Sequence, residues 1–198
     1  MYQDQVHRSS AGIVGGVMLL GIIAWIGGDA VVRGEGRTPW LALASILLVV
    51  PLVVAFSLRP AVFANTDRLR IRNPFRVIEL PWGAVAALRS GYSNEVIDEA
   101  GTKYQLWALP VSLRARKRAA RQQARAAAEG DSSGRTSLVT RDPVRAAGDQ
   151  IMNDLRELQE SRAQAPGAQG EPGVRWAWEV MGPAAAGAVL LTVLIVLG

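Results

Sequence analysis

Three uncharged apolar runs constrain this chain more than any other feature of its sequence. They are Ala11–Gly28, Trp40–Leu58 and Val180–Gly198, each eighteen or nineteen residues long. That is the length needed to cross a hydrocarbon core of about 30 Å. In a chain of 198 residues, too little sequence remains to bury three such helices in a soluble core. They are therefore read as membrane spans. The first is read as retained rather than as a cleaved signal peptide. Its lead-in "MYQDQVHRSS" mixes one arginine with an aspartate, and no Ala-x-Ala site follows "AWIGGDAVV".

Charge distribution sets the expected sidedness. The short loop "DAVVRGEGRTP" makes residues 11–58 a two-helix hairpin, so residues 1–10 and the central region share one side of the membrane. Arg59, Arg68, Arg70, Arg72 and Arg76 follow the second span closely and outweigh Arg33 and Arg37 in the loop. The positive-inside rule then puts the central region in the cytoplasm of a multi-pass cell-membrane protein, with residues 176–198 as the third span. Gly12 and Gly16 form a GxxxG that can bring two helices close. Pro51 predicts a kink in the second span. No span carries an interior Asp, Glu, Lys, Arg or His, which argues against a transporter or pump.

Between the second and third spans the composition changes twice. Residues 59–113 read as strands. In "DRLRIRN", Leu69 and Ile71 alternate with Arg68, Arg70 and Arg72, and Asn73-Pro74 marks a turn. "RVIELPW" puts Ile78 and Leu80 on one face, with Pro81 ending the strand or sitting on an edge. "SNEVIDEAGTKYQLWAL" is a hairpin turning at Glu99-Ala100-Gly101. About six short strands with tight connections predict an antiparallel meander or small barrel. Its expected core is Leu69, Ile71, Ile78, Leu80, Trp82 and Trp107. Residues 114–129 read as a basic Ala/Arg-rich helix, 130–141 as a linker, 142–162 as an amphipathic helix and 163–175 as a second linker. The amphipathic helix has Asp142 as N-cap, Pro143 at its first position and an apolar stripe of Val144, Ala147, Ile151, Leu155 and Leu158. Trp176 and Trp178 suit an interfacial aromatic belt. The expected class is an α+β membrane protein: a transmembrane hairpin, a small antiparallel β-domain with a capping helix, and a C-terminal transmembrane helix.

Strands closed by one helix, with "VFANTDRLRIRNPFRVIELPWGAVAAL" followed by "VIDEAGTKYQLWALP", resemble a pleckstrin-homology (PH) domain of the short bacterial kind. The pattern is similar to the actinobacterial low-molecular-weight protein antigen 6 family, whose members place two membrane spans just before the domain. The resemblance covers roughly Ala11 to Leu109, and the Ala/Arg-rich insert and third span depart from it. It implies a membrane-tethered binding module and transfers no catalytic residue.

The search for chemistry agrees with that implication. There is no cysteine, which excludes disulfides and thiolate chemistry. His7 is the only histidine and lies near an unstructured-looking terminus. No Gly-x-Ser-x-Gly elbow or phosphate loop is present. Asp98 and Glu99 are adjacent carboxylates at a hairpin tip, where solvent keeps them ordinary. No catalytic, metal or cofactor-binding residue is assigned, and no enzyme is expected.

The arginines remain. Arg68, Arg70 and Arg72, with Arg76 beyond the turn, read either as a solvated strand face or as contacts to anionic phospholipid headgroups. Arg114, Lys117, Arg118, Arg121 and Arg125 share one helical face. That face is solvated, docked on anionic lipid, or binds nucleic acid; the last is disfavoured because basic charge alone gives only non-specific affinity. Two functions stay open. One is a PH-like binding or scaffolding module anchored to the bilayer at its cytoplasmic face. The other is an accessory subunit of a larger envelope complex, meeting an unknown membrane-protein partner through its spans. An integral-membrane enzyme comes third.

Overall fold

The computed structural model describes residues 5–90, 93–109 and 143–197, with the side chains of 143–147 left aside. The basic segment 114–129, the linker 130–141 and the N-cap at Asp142 lie outside the described residues.

Among the described residues three helices are long and apolar enough to cross a membrane. Helix α1 spans Ser10–Arg33, and α2 spans Thr38–Val53 and runs into one π-helical turn, Val54–Leu58. The last helix, here α4, spans Trp178–Val196. Ser9 caps α1 by accepting a hydrogen bond from the Gly12 N–H. Helix α2 is the centre of the group, with α1 and α4 both packed on it. Small residues make these approaches possible. A side chain at Gly187 of α4 would run into the α2 backbone, within 2.8 Å of the Leu47 carbonyl carbon. Both glycines of the GxxxG face Ser57 at the end of α2, so that motif packs α1 against its own hairpin partner.

The β-domain follows after two residues, Arg59 and Pro60. Strands β2 (Ala61–Ala64), β3 (Arg68–Arg72) and β4 (Arg76–Pro81) form an antiparallel meander. A 3-10 turn at Trp82–Ala84 leads to a second sheet of β5 (Val85–Ser90), β6 (Asn94–Asp98) and β7 (Lys103–Gln105). The predicted hairpin turn sits between β6 and β7, with Gly101 at φ 81°, a conformation that favours glycine. Helix α3 (Pro143–Arg162) packs on β5 and the 3-10 turn. Leu155 and Met152 of α3 are buried against the sheets, with Ile151 and Leu158 partly so. Arg156 Nε and Gln159 Nε2 donate to the Leu88 and Val85 carbonyls.

Leu69, Ile71, Ile78, Leu80 and Trp82 are all essentially inaccessible and form the centre of the core. Burying side chains of this size contributes about 1.5–3 kcal/mol each. Trp82 also donates its indole N–H to the Asn65 carbonyl at 2.8 Å.

Three features depart from expectation. Gln5–His7 is a strand, β1, paired antiparallel with β2. Gly173–Trp176, where linker gives way to the third span, is a strand, β8, paired with β4. The first sheet therefore has five strands in the order β1-β2-β3-β4-β8. Trp107 is 48% exposed and outside the core. It lies beyond the end of β7, in a turn over Leu106–Leu109 whose other three residues are buried.

The register puts all three helices at one end of this sheet. Strand β1 ends two residues before α1, β2 begins two residues after the π-turn, and β8 ends one residue before α4. We call this the helical end; the Asn65–Asp67 turn lies at the far end.

Candidate functional site

The five-stranded sheet has an inner face on the core and an outer face open to solvent. Pairing places Phe63, Arg68, Arg70, Arg72, Val77 and Glu79 on the outer face. Arg76 is not among them. Arg72 pairs with Val77, so even-numbered residues of β3 share a face with odd-numbered residues of β4. Arg76 accordingly projects to the opposite side, where its guanidinium stacks on Trp176 at 4.3 Å. The four arginines read together in sequence thus separate into three and one. The second basic group, Arg114, Lys117, Arg118, Arg121 and Arg125, lies outside the described residues.

Nor is the outer face uniformly basic. Glu79 sits opposite Arg70 and forms ion pairs with Arg175 of β8 at 3.3 Å and Arg68 at 3.9 Å. Arg70 and Arg72 lie over the Phe63 ring at 4.8 and 5.8 Å. Phe63, Asn65, Asp67, Arg68, Arg70 and Glu79 surround a shallow polar cavity of about 310 Å³ toward the far end. Its two carboxylates offset its two guanidiniums, so it has no net attraction for anions.

The helical end is different. Arg59, just past the π-turn, has a side chain only 10% exposed. Its Nη1 pairs with Glu179 of α4 at 2.7 Å and its Nε donates to the Asn73 carbonyl. One side chain thus ties the end of α2, the start of α4 and the β3–β4 turn. Phe56 stacks edge-on against Phe75 of that turn at 5.3 Å and against Trp107 at 5.6 Å. The Ala177 N–H donates to the Phe75 carbonyl, and Asn73 Nδ2 donates to the Gln105 carbonyl. Trp107 therefore belongs to an aromatic cluster at the helix–sheet junction. Burial pushes the Arg72 guanidinium pKa down, as do the neighbouring Arg59, Arg70 and Arg8 charges, with Glu179 acting against them.

Sequence reasoning did not single out Arg59 as a site residue. The available signal was a charged residue directly at the end of one span, with an acidic residue at the start of another. It also misjudged two other groups. Asp98 is not a solvated tip residue: it is 3% exposed and accepts from the Thr102 N–H and the Tyr104 hydroxyl. Burial, and then the Asp98 carboxylate, raise the Tyr104 pKa. His7 lies on β1 with its Nε2 buried and without a hydrogen-bond partner among the described residues. Desolvation lowers its pKa, and Asp154 on α3 opposes that shift.

Comparison with curated proteins and with solved structures found no match. Residues 59–132 match the family model described as a bacterial PH domain. The match begins at Arg59 and takes in β2 to β7; β1, α3 and β8 lie outside it. Two antiparallel sheets packed around one core, together with that match, identify the region following the second apolar helix as a PH-like domain.

Proposed function

We propose that this is a multi-pass membrane protein whose PH-like domain is a non-catalytic binding or scaffolding module at the cytoplasmic face. One observation carries the reading: all three apolar helices join the first sheet at the same end, through connections of one or two residues. Arg8, Arg59, Arg72, Arg76 and Arg175 collect at that end. The opposite helix ends carry Arg33 and Arg37, offset by Asp29 and Glu35. Arg33 is moreover paired with Asp29 at 3.2 Å. The asymmetry supports an inward-facing domain, and PH domains as a class are binding modules.

The absence of cysteine gives a clean test. Glu35→Cys and Glu99→Cys each introduce one thiol, in the helical hairpin loop and the exposed β6–β7 turn. A membrane-impermeant maleimide should label position 35 in intact cells and position 99 only after lysis. Labelling of position 99 in intact cells would reverse the topology.

The second reading is an accessory subunit that meets its partner through the helices. It draws support from Gly15, Gly21 and Gly28 of α1 and Gly182 of α4, where a side chain would meet no described residue of another element within 4 Å. In-cell crosslinking separates the two. Partners captured equally by a chain lacking the β-domain support the second reading.

A further inference from the structure

The five-stranded sheet ends at β8, Gly173–Trp176, and the edge beyond it is open. The Ala177 N–H donates to the Phe75 carbonyl, which fixes the phase of the β4–β8 ladder. In an antiparallel ladder the hydrogen-bonded pairs recur at every second residue. Arg175 opposite Val77 and Gly173 opposite Glu79 are therefore bonded pairs. Val174 and Trp176 turn their N–H and C=O groups the other way, off the sheet. Among the described residues no strand lies beyond β8 to receive them. All four residues of β8 are exposed. Pro172, which has no N–H, bounds this edge on one side, and α4 bounds it on the other. The open template is Val174 and Trp176, whose donors and acceptors repeat at about 7 Å.

The side chains give this template a chemistry. Val174 and Trp176 project to the same side of the sheet as Ile78 and Arg76, and they are 43% and 48% exposed. Arg175 lies between them on the outer face, with its side chain 74% exposed. Glu79 pairs with both Arg175 and Arg68, so one carboxylate serves two guanidiniums and the edge keeps a positive excess. A strand bonded to Val174 and Trp176 sets two of its residues beside theirs and the residue between beside Arg175. The complement of the edge is apolar–acidic–apolar.

A second copy does not fit. Strand β8 runs toward the helices, so two copies related by a two-fold axis along the membrane normal bring their β8 strands together in parallel. That symmetry sets Val174 opposite its own equivalent. Parallel pairing bonds a residue to the neighbours of the one opposite it, and those neighbours, Gly173 and Arg175, turn their backbone groups inward to β4.

We propose that the open edge of β8 takes an extended apolar–acidic–apolar segment of another protein as a sixth, antiparallel strand. The inference rests on the binding-module reading above and names the partner's chemistry. Strand β8 lies outside the segment that matches the PH family model, so this edge is not one the matched strands supply. Running antiparallel to β8, the segment leads away from the helices.

The probe is the fluorophore-labelled peptide Thr-Val-Glu-Val-Thr-amide, titrated by anisotropy into the full chain in mild detergent. It should bind, and the Thr-Val-Lys-Val-Thr counterpart should bind about fivefold more weakly. Arg175→Glu should reverse that order. N-methylation of both valines, whose N–H groups face β8, should weaken binding about tenfold or more, whereas N-methylation of the glutamate should change it by about twofold at most. Val174→Pro removes an outward N–H and no bond to β4, so it should weaken binding about fivefold and leave the melting temperature near wild type. Val174→Thr keeps the N–H and should bind within about twofold of wild type. Should Val174→Pro fail to fold, the N-methylated peptides decide, because they leave the protein unchanged. Binding indifferent to valine N-methylation would overturn the proposal. So would a charge preference that Arg175→Glu does not reverse, or no binding at about 1 mM peptide. Self-association abolished by Val174→Pro would assign the edge to a second copy instead. Sidedness is read separately, by maleimide labelling at position 99. An outward-facing domain with a working edge would defeat only the cytoplasmic reading, and an inward-facing domain with an indifferent edge would defeat only this strand addition.

Discussion

The two ends of the five-stranded sheet are built on opposite principles. At the far end the turn completes its own hydrogen bonding. Asn65 Oδ1 accepts from the Asp67 and Arg68 N–H groups, and its carbonyl takes the Trp82 indole N–H. The Trp82 N–H donates to the Asp67 carbonyl. At the helical end the described residues leave three buried side-chain atoms without a partner: His7 Nε2, Arg59 Nη2 and Asn73 Oδ1. A buried polar group without a partner costs about 1–3 kcal/mol. The difference teaches a division of labour. The far end specifies the fold, and the helical end accepts a local cost where the domain meets the proposed bilayer.

Four paired measurements sharpen or break that comparison. The largest effect should come from the tryptophans. Trp82→Ala should cost about 3–5 kcal/mol of stability, as for other buried aromatics. Trp107→Ala, at a half-exposed position, should cost far less and instead weaken quenching of protein fluorescence by brominated lipid. Equal melting shifts would erase the distinction between ends. Next come the two turn asparagines. Asn65→Ala leaves two backbone N–H groups uncapped and should cost about 1–3 kcal/mol. Asn73→Ala removes one hydrogen bond and an oxygen already unpartnered, so it should cost about 0.5–1.5 kcal/mol. Thermal unfolding of the two variants decides the order.

The ion pair at the junction should respond asymmetrically. Glu179→Gln strands the largely buried Arg59 guanidinium, whereas Arg59→Met leaves only an exposed carboxylate behind. The melting temperature should therefore fall further for Glu179→Gln, and the reverse order would mean that Arg59 is solvated. The smallest effect is a pH dependence. The His7 pKa is lowered on folding, so the unfolded strand binds the proton more readily. Stability at β1 is complete above about pH 6.5, the ordinary histidine value, and declines as pH falls from there toward the lowered one. Amide protection at Val6 and Phe63, relative to the intrinsic exchange rate at each pH, should fall on acidification across that range. Protection that no longer changes with pH in a His7→Gln variant would attribute the change to His7.

Much of the domain interior is legible in the sequence, because alternation in β3 and β4 marks Leu69, Ile71, Ile78 and Leu80 against their charged neighbours. Helix α3 is equally legible from its apolar stripe and Pro143. The candidate site is not, for three physical reasons. Strands β1 and β8 have three and four residues, too short for a pattern, and they pair with partners dozens or more residues away. The face of Arg76 depends on the length of the β3–β4 connection, which hydropathy does not encode. Trp107 reads as an apolar strand residue, but β7 ends at Gln105 and leaves it in a turn.

The tethers between helices and sheet also govern how such a domain could meet a partner. They are two residues, two residues and one residue long, and a residue spans at most about 3.6 Å. With three such attachments, and Arg59 bracing the junction, the sheet has almost no reach away from the helices. A PH domain on a flexible linker explores a volume and gains effective concentration from that search. On the proposed reading this one explores a plane. Its partners are those that diffuse laterally into contact or arrive at the surface, and its orientation toward them is fixed before they come.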